Sequence, residues 1–261
     1  MQPASAVGLI VVAAGSGRRL GADVPKAFVP LAGVPLLGHA LRGALACPDV
    51  AEVVVVSPTG WLEEAHAVCR WARSQPGVAS ARPPFPAGTA SPAVPVSPSP
   101  AQSSEQLLGG RVTVVAGGKE RGDSVGAGLA ALSGQVGIVL VHDAARCLTP
   151  ASVFGRVVDA VRHGAVAVVP GVPVVDTIKQ VDSAGRVVAT PERSQLRAVQ
   201  TPQGFRRDVL ERAHAESSEA TDDAGLVERL GETVLVVEGD PRALKVTTPA
   251  DLEAAARILA G

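Results

Sequence analysis

Gly15 and Gly17, two adjacent arginines and a lysine follow the first apolar run of the chain, in VVAAGSGRRLGADVPKAF at residues 11–28. Small residues (Ala13, Ala14, Gly15, Ser16 and Gly17) let a backbone approach a phosphate closely, and amides at a helix start favour anions. Arg18 and Arg19 add planar forks and Lys26 a compact charge. Such a turn suits a polyphosphate, which carries several negative charges near neutral pH. Taken singly, the same cations would suit a solvated basic loop. Their coincidence with glycines at a strand end favours the phosphate. Two familiar phosphate folds are excluded. Gly15-Ser16-Gly17 opens a GxGxxG pattern, but Leu20 stands in the third place, and no acid between Asp23 and Asp49 is available for a ribose. The P-loop pattern GxxxxGK[ST] is absent from this loop.

Further along, Gly117 and Gly118 close a third apolar run, where missing side chains leave room for a flat ring against the backbone. Asp143 closes GIVLVHD, and a carboxylate at the carboxyl end of a strand suits a magnesium ion or its water shell. His142 reads as a buried neighbour, since nothing pairs with it at metal-ligand spacing. Thr221 and Asp222 head a helical pattern, and capping explains them. Cys47, Cys69 and Cys147 are far apart and form no CxxC pair, so they read as reduced thiols in a cytoplasmic protein.

These residues need a rigid scaffold. Apolar runs of strand length recur at 8–13, 51–57, 111–117, 137–143, 165–170 and 233–239. Between them lie helical spacings at 36–45, 124–132 and 151–163. Such alternation predicts βαβ units, hence an α/β fold with a mostly parallel sheet covered on both faces and its ligands at the carboxyl ends of the strands. Two stretches break the rhythm. Residues 79–108 are rich in Pro, Ala and Ser and predict a disordered surface insertion. Residues 172–205 alternate, turn at Asp182-Ser183-Ala184-Gly185 and alternate again, which predicts a protruding β-hairpin arm. A two-stranded ribbon is marginal alone, so the arm is expected to pack on something, a second subunit being the natural choice. Thr248, Pro249 and Asp251 open the last helix with a capping-box pattern.

Composition agrees. The 261 residues are 46% hydrophobic but only 2% aromatic, so the core must be built from Val, Leu, Ile and Ala. A net charge of -1 and the scarcity of aromatics argue against nucleic acid as a partner. No apolar run reaches bilayer-spanning length, and the cations follow AVGLIVVAAG rather than precede it, the wrong polarity for an export signal.

The glycine-rich loop also resembles the first signature of the 2-C-methyl-D-erythritol 4-phosphate cytidylyltransferases of the non-mevalonate isoprenoid pathway. GGKERGDSV, VHDAAR, VVDTIK, TPQGF, TDDAG and ALKVTTPADL follow in the family's order and cover nearly the whole chain outside the insertion. The resemblance implies a Rossmann-like nucleotidyltransferase, acting as a homodimer, that uses Mg²⁺ to transfer CMP from CTP to methylerythritol phosphate and releases pyrophosphate. The attacking group is then the substrate's own phosphate, so no general base is required. By resemblance, Arg19 and Lys26 stabilise charge on the α-phosphate. Gly117, Gly118, Arg121 and Ser124 surround the cytosine. Asp143 and Arg146 lie near the substrate, Thr177 and Thr201 line its site, and Arg193 and Lys245 hold the attacking phosphate, Arg193 reaching across from a neighbouring subunit's arm. Cys147 stands where many relatives have proline. A cytidylyltransferase for another polyol phosphate, such as ribitol 5-phosphate, and a non-catalytic nucleotide-binding protein are the other readings. The substrate-side motifs favour the first enzyme over the second, and the retained cations disfavour the third.

Overall fold

A computed structural model describes residues 5–15, 17, 20–74, 111–216 and 221–261. Ser16, Arg18, Arg19 and the stretch 79–108 lie outside the described residues.

The chain begins with β1 (Ala6–Val12), continues through the glycine-rich loop to a short 3-10 turn at Lys26–Phe28, and makes a small ribbon of β2 (Pro30–Leu31) and β3 (Val34–Pro35). There follow α1 (Leu36–Leu45), β4 (Val50–Ser57), α2 (Leu62–Ser74), β5 (Arg111–Ala116), α3 (Arg121–Ala131) and β6 (Val136–Asp143). The second half holds α4 (Ala151–Arg162), β7 (Ala167–Pro173), β8 (Gln180–Val181), β9 (Val187–Ala189), β10 (Arg197–Val199) and β11 (Gln203–Arg206). It closes with α5 (Arg207–Glu216), α6 (Asp223–Arg229), β12 (Val234–Glu238) and α7 (Pro249–Ala260).

The main sheet runs β5-β4-β1-β6-β11-β7-β12, with β10 paired to the far end of β7. β5, β4, β1 and β6 are mutually parallel, as are β7 and β12, while β11 runs antiparallel to both of its neighbours. The sheet is therefore mostly parallel, as the alternating pattern predicts. Successive strand residues point to opposite faces, and both faces are apolar. Leu9, Val11, Val53, Val55 and Leu140 pack against α1, α2 and α4. Ile10, Val54, Val139, Val141 and Phe205 pack against α3, α5 and α6. A smaller cluster of Leu20, Val29, Leu36, Cys147, Val246 and Ala255 ties the opening loop to the last helix.

Phe154 on α4 is fully buried in the first of these layers, and its ring centroid lies 5.0 Å from that of His142. Phe154→Ala is expected to destabilise the fold by about 3–5 kcal/mol, read as a lower urea midpoint at an unchanged m-value. A loss under about 1 kcal/mol would mean that α4 is not packed on the sheet in this way.

Within 172–205, β8 and β9 form an isolated antiparallel ribbon. Its turn is closed by Asp182, which accepts the Ala184 and Arg186 N–H groups on Oδ1 and the Arg186 Nε on Oδ2. β10 and β11 return from this ribbon to the main sheet.

Candidate active site

Parallel strands put their carboxyl ends on one rim. That rim carries the loop after Val12, Gly117-Gly118 after β5, Asp143 to Arg146 after β6, the arm after β7 and the loop to Lys245 after β12. β11 runs the other way, so Gln203 at its start, and Thr201 just before it, arrive at the same rim.

Asp143 is the centre of the described charges. Its Oδ2 lies 2.7 Å from Lys245 Nζ and its Oδ1 3.7 Å from an Arg121 guanidinium nitrogen. Burial pulls the Asp143 pKa up, but Lys245 and Arg121 overcome it and hold the carboxyl at about 2. It is thus ionised throughout the neutral range. The strand end itself is fixed by Thr201, whose Oγ1 accepts the Asp143 N–H at 3.1 Å and lies 2.9 Å from His142 Nδ1. Burial holds His142 near a pKa of about 4, so it is neutral at pH 7.

Lys245 owes its position to a loop held at several points. Arg146 donates to the Ala243 carbonyl at 2.7 Å and the Val199 carbonyl at 3.0 Å. Val246 N–H donates to the Ala145 carbonyl. Beyond the lysine, Thr248 and Asp251 cap α7 reciprocally, and Asp251 also accepts from Thr247. Burial drives the Cys147 thiol in this neighbourhood up to about 12, so it stays protonated.

On the opposite side of the rim, Gly117 lies so close to Ala14 and Ser124 that a Cβ there would come within 2.6 Å of the one and 2.9 Å of the other. The Gly118 N–H donates to Ser124 Oγ, which in turn donates to the Glu120 carbonyl. The expected nucleotide residues Ala14, Gly117, Gly118 and Ser124 therefore form one continuous patch, with buried Ala13 anchored by its N–H to Val56. Gly15 is exposed. Gly17 has φ +67°, and a Cβ on it would stand 2.6 Å from Lys26 Cβ. Glycine is what allows the loop to fold directly onto the lysine.

Comparison with known proteins supplies the family. Residues 7–72 and 92–261 match the family model for IspD, 2-C-methyl-D-erythritol 4-phosphate cytidylyltransferase. The chain belongs to this family. A Nocardia farcinica protein of that name is 48% identical over 250 residues, covering 96% of this chain and 92% of its own. One from Rhodococcus jostii is 48% identical over 244 residues, covering 93% and 90%. The crystal structure of the Thermus thermophilus 2-C-methyl-D-erythritol 4-phosphate cytidylyltransferase is 30% identical, covers 97% of this chain and 98% of its own, and superposes with a TM-score of 0.67.

Not every residue that the cytidylyltransferase motifs single out meets at Asp143. Thr177 and Arg193 lie on the arm side, where Arg193 donates to the Val175 carbonyl at 2.6 Å. No hydrogen bond among the described residues joins either of them to Asp143. Arg19 and Ser16 fall outside the described residues. Conversely, sequence reasoning missed Gln200, which is buried and bonds through both amide atoms to the backbone of Asp240, pinning the arm root to the Lys245 loop. It also missed Asp223 and His214. Their only signal was a second acid in TDDAG, beside one already explained as a cap.

A metal site must rest on little protein. Among the described residues no group of three or more His, Cys, Asp or Glu side chains could hold an ion. One carboxylate at a strand end nevertheless fits magnesium, which takes one or two carboxylates and completes its shell with water and substrate phosphates.

Proposed function

We propose that this cytidylyltransferase joins CTP to 2-C-methyl-D-erythritol 4-phosphate, giving 4-(cytidine 5'-diphospho)-2-C-methyl-D-erythritol and pyrophosphate. The family match across both halves of the chain carries this reading, and the Asp143 cluster at the rim supports it. A phosphate oxygen of the polyol attacks the α-phosphorus of CTP. The new P–O bond forms as the bond to pyrophosphate breaks, and the leaving group carries away the charge. Such a reaction asks the protein for alignment and charge stabilisation more than for proton transfer.

Each residue has a place in that scheme. The turn of Ala13, Ala14, Gly15, Ser16 and Gly17 receives the triphosphate. Gly117, Gly118, Arg121 and Ser124 receive the cytosine side. Arg19 and Lys26 stabilise the charge that builds on the α-phosphate. Lys245 and Arg193 align the attacking phosphate, with Thr177 and Thr201 beside it and Arg146 bracing the loop that carries Lys245. Asp143 would hold a magnesium ion, which would supply a further positive charge at the phosphates.

The reading extends to assembly and location. Val175, Val181, Val187 and Val188 on the arm are each more than half exposed, an apolar ribbon that a second copy of the chain would cover. The arm's Arg193 would then serve the neighbouring site. Mixing a Lys26→Ala subunit with an Arg193→Ala subunit is expected to recover activity that neither has alone, because one site of the mixed dimer has both groups intact. If mixing gives no recovery while light scattering reports dimers, Arg193 acts within its own subunit. The three cysteines are free and buried, which suits the reducing cytoplasm. Among the described residues no helix is long and apolar enough to cross a membrane.

Pyrophosphate release across the four nucleoside triphosphates and several polyol phosphates tests the central reading. Release is expected only with CTP and methylerythritol phosphate. Turnover of ribitol 5-phosphate alone would overturn the substrate, and CTP binding without any release would overturn the enzyme.

A further inference from the structure

The nucleotide side of the rim depends on Arg121, which the first turn of α3 presents on a long, partly exposed side chain. An unanchored arginine samples many rotamers, so what holds it decides how well it can recognise a ligand. One of its guanidinium nitrogens lies 2.7 Å from Asp223 Oδ2, while the other reaches Asp143 only at 3.7 Å. Asp223 is the tighter anchor.

The Asp223 carboxylate is 1% exposed, an expensive place for a charge unless it is well partnered. Helix capping does not explain it. Asp222 already caps α6 by accepting the Gly225 N–H, and Gln203 accepts the Ala224 N–H while donating to Asp222. With the helix start satisfied, Asp223 is left for lateral contacts. Its second oxygen lies 3.0 Å from His214 Nε2 on α5. The carboxylate is therefore gripped from two helices and offers a fixed seat to the arginine of a third. The seat also sets how Arg121 shares Asp143 with Lys245. An Arg121 released from Asp223 would be drawn onto Asp143 and away from any nucleotide.

We propose that Asp223, steadied by His214, is a positioning residue that aims Arg121 at the nucleotide. The inference rests on the proposed nucleotide-side role of Arg121 and adds two residues that act only through it. Asp223→Asn is expected to raise KM for CTP about tenfold or more, the loss of a close and largely buried ion pair, with kcat and KM for the polyol phosphate little changed. Asp223→Glu should restore much of the affinity, and His214→Ala should raise KM for CTP by a smaller factor.

The decisive measurement is a cycle with Arg121→Ala, read both by kinetics and by calorimetric titration with CTP and magnesium. In the Arg121→Ala background, Asp223→Asn should cost nothing further. A full additional loss there, or an unchanged KM for CTP in the single variant, would overturn the proposal. If Asp223→Asn does not fold, His214→Ala carries the test, and a fall in kcat at unchanged CTP affinity would overturn it. Should the wild-type chain bind CTP yet release no pyrophosphate, the functional reading fails while the calorimetric cycle still decides this one.

Discussion

Lys245→Ala is expected to leave a folded protein that binds CTP normally but has lost about a hundredfold to a thousandfold in turnover. The lysine begins no element and belongs to no core cluster, and its side chain is 43% exposed, so no packing depends on it, and Asp143 keeps Arg121 as a cationic neighbour when it is removed. What surrounds it is nonetheless heavily fixed: Arg146 holds Ala243, Gln200 holds Asp240, and the Thr248–Asp251 cap holds the chain beyond. A surface ammonium so constrained, and set 2.7 Å from the only ionised carboxylate of the β6 strand end, suits a charge that must be in place when a phosphate arrives. Alignment of two reactants contributes to the rate more than to the binding of either. The loss should therefore appear in kcat and in KM for the polyol phosphate, with KM for CTP within about threefold of wild type. A coupled pyrophosphate assay with both substrates varied makes this distinction. Unchanged kcat would remove Lys245 from the reaction.

Lys26→Ala is expected to have an effect of the same order through a different route. Lys26 opens a 3-10 turn whose next two residues, Ala27 and Phe28, are buried, so its backbone is held from below. Gly17 presses on it from the other side, with room for no Cβ. The lysine is thereby fixed to the loop proposed to take the triphosphate. A charge placed to meet the α-phosphate interacts more strongly as the phosphorus gains a fifth ligand than with CTP at rest. Turnover should fall about a hundredfold or more, while calorimetric affinity for CTP and magnesium changes by less than about tenfold. Equal losses in both would show that Lys26 merely binds the ground state. Gly17→Ala, which leaves the lysine in the chain but disturbs its seat, should reproduce part of the defect.

The scaffold was legible because parallel strands buried on both faces read as continuous apolar runs. Each of the six runs became a strand of the main sheet, with ends shifted by no more than three residues, and LLGHALRGAL is α1 from first residue to last. β11 was not legible as a strand. QGFR contains one large apolar residue and a glycine, and its place between β6 and β7 follows from pairing on both sides, which no local pattern records. Helices α2 and α5 are clearly amphipathic but so rich in charge that no apolar run marks them as it marks α1, and α6 is only seven residues long.

At the site, motifs spoke for groups that lie on loops at strand ends, such as Gly117 and Asp143. They were silent on what holds those groups. Arg146 meets a carbonyl 97 residues away, and Gln200 meets a backbone 40 residues away. Those partnerships are properties of the folded chain, as is the joint hold of Asp223 and His214 on Arg121.

The small cluster that unites Leu20 and Val29 with Val246 and Ala255 has a consequence for biosynthesis. A ribosome releases the glycine-rich loop early, but two of the apolar partners on which that loop settles, Val246 and Ala255, emerge only after all strands of the main sheet. Most of the sheet can form on the nascent polypeptide before then, since domains begin folding from the amino end during synthesis. A translation product stopped short of Val246 should consequently be a largely assembled scaffold whose glycine-rich loop is not yet seated.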